Sequence, residues 1–125
     1  MLNALAKALL LLCLFCVHPA RAQEVEASHG LTCDSAAQLK RFVEVVGSDV
    51  SAAVQQVNTE VNDPTACAVL PVFYVRGSVT ERVKNAHGKY LIVEIIVVAV
   101  MTPVGPHRVQ PTLVFALFKD NDEEA

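Results

Sequence analysis

Between Leu91 and Met101 every residue except Glu94 is apolar. Ile92, Val93, Ile95, Ile96, Val97, Val98 and Val100 are all β-branched, so Tyr90–Met101 is expected to be the strongest strand of the chain. A strand with one wet face alternates apolar and polar residues; this one does not, and both of its faces need cover. Leu91, Val93, Ile95, Val97, Ala99 and Met101 form one face, while Ile92, Ile96, Val98 and Val100 dominate the other. Helices can cover one face. The other must meet a curled-over part of the same sheet, a second copy of the chain in a homodimer, or an apolar ligand.

The elements around this strand follow from local signals. Ser35 with Gln38 three residues on is a capping-box pattern, and Leu39, Phe42, Val43 and Val46 then line one face of a helix. Gly47 is expected to stop it in a left-handed conformation. Ser48 is expected to cap a second helix, with Asp49 at the positive end of its dipole and Val50, Ala53, Val54 and Val57 on its apolar face. Asn62-Asp63-Pro64 ends it. Ala68–Arg76 reads as a strand, Val79–Lys84 as its half-exposed neighbour, Asn85–Gly88 and Thr102–Pro106 as turns, and Val109–Phe118 as a last strand entered through Pro111. The expected fold class is α+β, with two N-terminal helices packed on a four-stranded antiparallel meander.

The N-terminus carries a different message. Lys7 precedes an unbroken apolar run, Ala8–Val17, and His18-Pro19 then leads to the small-x-small pattern Ala20-Arg21-Ala22. This is the pattern of a secretory signal peptide, residues 1–22, with cleavage expected between Ala22 and Gln23. Ten apolar residues reach only about 15 Å, half a bilayer core, so no membrane span is expected after cleavage. Cys13 and Cys16 follow Leu12 and Phe15, which are too bulky for a lipoprotein site. Residues 23–32 are expected to form an extended lead-in, 33–119 a single domain, and 120–125 an acidic tail. Without the signal the chain has eight basic and thirteen acidic residues, a balance that argues against a nucleic-acid partner. The location expected is periplasmic or secreted.

Export also bears on the remaining cysteines. Cys33 and Cys67 form an even pair in an oxidising compartment and are expected to make one disulfide, since no C-x-x-C spacing supports a redox or zinc pair. No G-x-S-x-G elbow, H-E-x-x-H helix or phosphate loop occurs, and no cofactor is implied. Glu94 is the candidate functional carboxylate: burial among apolar residues would raise its pKa, whereas an ion pair with Arg76, Arg82 or Arg108 would make it structural. His87 and His107 flank the long strand too far apart to share a metal, but His29 is placed to approach His87 and Asp120 in a weak site.

Val57-Asn58, Asp63-Pro64-Thr65-Ala66-Cys67 and Tyr74-Val75-Arg76-Gly77, together with the signal and paired helices, resemble a group of small exported single-disulfide proteins of Gram-negative bacteria. The resemblance implies periplasm or secretion and carries over no functional residue. Three function classes fit the sequence. A small exported binding or interaction module leads. A hydrolase or isomerase using Glu94 or a histidine would need two convergent polar groups, and a structural or stress-related envelope protein would engage partners through apolar surface.

Overall fold

The computed structural model of the chain describes residues 24–121; the expected signal peptide and the end of the acidic tail lie outside the described residues. The elements run β1 (Val25–Cys33), α1 (Ala36–Val45), α2 (Val50–Glu60), β2 (Cys67–Asn85), β3 (Gly88–Thr102) and β4 (Gly105–Lys119). All strand pairings are antiparallel, and the sheet closes on itself in the order β1-β2-β3-β4. Among the described residues no helix is long and apolar enough to cross a membrane.

Two helices, four antiparallel strands and the Cys33–Cys67 disulfide match the expected class, but the strands are composed differently. The segment expected as a lead-in is β1, paired with β2 from Val25↔Val75 to Cys33↔Cys67. The helices therefore follow a strand. The two strands expected at Ala68–Arg76 and Val79–Lys84 are one, β2, because Gly77 and Ser78 form a bulge opposite Glu94 rather than a turn. A Cβ on Gly77 would lie 2.6 Å from the Glu94 carbonyl oxygen, so glycine is what allows the strands to approach there. Pro111 likewise sits inside β4, where Val109, Gln110 and Pro111 oppose the single residue Val98, so its missing N–H falls in a bulge.

The helix ends show which local signals act. Gln38 N–H donates to Ser35 Oγ (3.2 Å) and Ser35 N–H to Gln38 Oε1 (3.1 Å), the reciprocal box the sequence predicts. α1 ends through Val46 in an extended conformation (φ −67°, ψ 129°), not through a left-handed Gly47. α2 is capped by Asp49, whose carboxylate accepts from Ala52 N–H at 3.0 Å, one residue later than the expected Ser48. At its far end Asn62 takes φ 54°, Asn62 N–H donates to Thr59 O and Asp63 N–H to Asn58 O. That nested pair is the Schellman closure, with asparagine in glycine's usual place.

Closure answers the problem set by β3. Its Val93, Ile95 and Val97 point into the barrel with Val72, Tyr74 and Ala116, while Ile92 points out under the helices with Leu31, Leu39, Phe42, Val43 and Val57. The bulge at Val98 reverses the alternation, so Val100 joins the barrel interior beside Val97. The disulfide lies under the helices between two directly paired strand positions, both cysteines being buried.

Candidate functional site

The barrel is joined all round at one level only. β1 meets β4 through Thr32↔Ala116 and Cys33↔Phe115, and from there the two strands diverge. The interior beside this gap holds a void of about 10 Å³ lined by Ser28, Gly30, Val72, Tyr74, Ile95 and Phe118, room for a single water. At the gap Tyr74 packs on Phe118 (ring centroids 6.1 Å apart), and the Arg76 guanidinium lies 4.4 Å from the centre of the same ring. Burial holds the Tyr74 phenol above its ordinary value, Glu26 on the paired strand adds to that, and Arg76 opposes it. The apolar inner face of β3 is thus consumed by the molecule's own packing.

Its outer face is not. Beyond the zone covered by α1 and α2, the register lines up one residue from each strand: Val25 pairs with Val75, Val75 with Ile96, and Ile96 with Leu113. All four are apolar, and Val25, Ile96 and Leu113 are 57%, 39% and 51% exposed. The row spans three strand spacings, about 14 Å. Next to it Ala27 pairs with Phe73, Phe73 with Ala99 and Ala99 with Arg108; beyond that lie His29, Pro71, Met101 and Pro106. Ala27, His29, Pro71, Phe73 and Met101 line a shallow concavity of about 230 Å³ at this end of the face. The strands beneath are paired in order β1-β2-β3-β4 on both sides of the bulges at Val98 and 109–111, so these side chains stand on a continuous sheet.

Glu94 borders the same row on the opposite side, two residues before Ile96 and paired with Phe115. It is half-buried, and among the described residues no ion pair or side-chain hydrogen bond engages it. The arginines expected as its partners are placed elsewhere: Arg76 on Phe118, Arg82 on Asp120 at 2.9 Å, and Arg108 across the row. The histidines do not converge either. His29 is opposite Pro71, His107 opposite Val100, and His87 in the β2–β3 turn. His87 and Asp120 do share a basic concavity of about 340 Å³ with Lys84, Lys89 and Lys119, but His29 is at the other end of β3, because β1 pairs with the first half of β2 and not the second. Among the described residues no three metal-ligating side chains cluster.

Two residues with decisive positions are not evident from local sequence pattern. Asn58 is buried on α2 and makes three hydrogen bonds: Nδ2 donates to Pro64 O and Cys67 O, and Oδ1 accepts from Cys67 N–H. The signal for it is a polar residue four positions after Val54, on the helix's apolar stripe. Leu113, at the end of the exposed row, has no local signal: its face follows by alternation from Phe115 and Leu117, but its pairing with Ile96 beyond the reach of the helices is a matter of long-range register. Compared with models of known protein families, with curated proteins and with solved structures, the chain matches none of them.

Proposed function

We propose that the chain is a small exported binding or interaction module, and that its working surface is the outer row Val25–Val75–Ile96–Leu113. The observation that carries this reading is the exposure of that row: three large aliphatic side chains in register, 39–57% open to solvent, in a sheet whose inner face is already filled. Scattered exposed aliphatics are ordinary, but a contiguous rigid row is what association uses. Covering it gains about 25 cal/mol per Å² of apolar surface, and the paired backbone beneath has little freedom left to lose. Export rests on the residue pattern of positions 1–22 and on the disulfide, which needs an oxidising compartment to persist.

The test is site-specific cross-linking of the full chain in the compartment it is exported to. A photoreactive residue placed at Ile96 should yield an adduct of defined mass, and the same group at Gln55, on the solvent side of α2, should not. No adduct at position 96, or equal adducts at both positions, overturns the reading.

A further inference from the structure

The row is bordered by opposite charges. Glu94 lies two residues from Ile96 on the helix side, and Arg108 lies on the hairpin side level with Ala99, three residues from Ile96 along β3 and beyond the bulge at 109–111 on β4. Neither has an ion-pair partner among the described residues. Resting on the interaction reading above, we infer that the occupant of this face is a second copy of the chain, docked about a two-fold axis running along the row.

The geometry leads there directly. In a face-to-face contact the two-fold lies in the plane between the sheets, and a residue at or near the axis meets its own counterpart. Rotation about the row sets Val25, Val75, Ile96 and Leu113 against the same four residues of the partner, apolar on apolar. It also exchanges the two flanks. Arg108 of each copy comes to lie over the helix-side flank of the other, one strand across and one residue farther along than the Glu94 position, roughly 6 Å away. Both side chains are long enough to bridge that offset. Symmetry forms the ion pair twice, once at each side of the row, so the charges set the register while the aliphatic row supplies the contact. A dimer rotated by a quarter turn would lose both pairs. Opposite charges on opposite sides of the row are the arrangement that a two-fold contact pairs with itself.

The contact is modest in area, so the dimer should be weak and exchanging. The test is sedimentation of the full exported chain over a concentration series, using charge-swap variants. Glu94→Arg and Arg108→Glu each place like charges together twice per dimer and should weaken association about tenfold or more. The double variant, Glu94→Arg with Arg108→Glu, should recover it to within about threefold. Circular dichroism of all three should match the parent, since neither residue has an ion-pair partner to lose among the described residues of the monomer. The cross-linked adduct at position 96 should have twice the mass of the chain. A parent that stays monomeric throughout the series, or a double variant that fails to recover association while remaining folded, overturns the inference. If the position-96 adduct has another mass, the second copy is ruled out as occupant while the interaction reading stands.

Discussion

Asn58 shows how much one polar side chain can organise. Its amide satisfies the N–H and C=O of Cys67 and the C=O of Pro64, so it holds the exit of α2 against the start of β2 at the disulfide. Asn58→Ala leaves three backbone groups short of partners in a largely buried corner and should cost about 2–4 kcal/mol, read by chemical denaturation. Asn58→Asp should recover only a part, because a carboxylate still accepts from Cys67 N–H but donates nothing to the two carbonyls. Tyr74 supplies the pH counterpart. Its phenol is held above the ordinary value by burial first and Glu26 second. The folded state therefore holds this proton more tightly than the unfolded state does. The resulting stabilisation is complete below about pH 10 and is lost as pH rises through the raised value. Unfolding free energies measured through the alkaline range should fall more steeply for the parent than for Tyr74→Phe. Identical slopes would assign the alkaline loss to other groups.

At the scale of elements, the helices were the most legible part of the chain and the strand divisions the least. Capping box, apolar stripe and the Asn62-Asp63-Pro64 stop are all local, and a helix is decided by residues within a turn or two of one another. Whether Gly77 marks a turn or a bulge is not local. It depends on whether β3 passes close enough to pair on both sides of it, and here it does. The same holds for Pro111, which reads as a strand's first residue until the register shows three residues opposing one. The bulge at Gly77 makes a prediction. Gly77→Ala puts a methyl group 2.6 Å from the Glu94 carbonyl oxygen, a backbone atom that cannot rotate away. The substitution should cost about 2 kcal/mol as the two strands are forced apart. Gly47→Ala is the matched control, with nothing within 4 Å of its Cβ, and should be neutral or stabilising by a few tenths of a kcal/mol.

At the scale of the molecule, two apolar clusters lie back to back across the sheet, one under the helices and one inside the barrel, and the disulfide belongs to the first. It closes a loop over a separation of 34 residues that contains both helices. The chain-entropy relation assigns such a loop about 4 kcal/mol, acting mainly on the unfolded state. Replacing Cys33 and Cys67 together by alanine should lower the denaturation midpoint accordingly. In the intact fold the buried bridge should resist a reductant until the chain opens; reduction as fast under native as under denaturing conditions would contradict that placement. The sequence by itself determined the two helices, the capping box that opens the first, the cysteine pairing and the need to cover β3 on both faces. Each of these is written in short-range pattern or in composition. Only the tertiary structure decided that β1 completes the sheet and that closure fills one face of β3 from within. It also decided which residues of four separate strands share the outer row, with Glu94 on one side and Arg108 on the other. Those are matters of register, set by long-range pairing and by bulges that shift the alternation, and a one-residue slip would have moved every side chain to the opposite face.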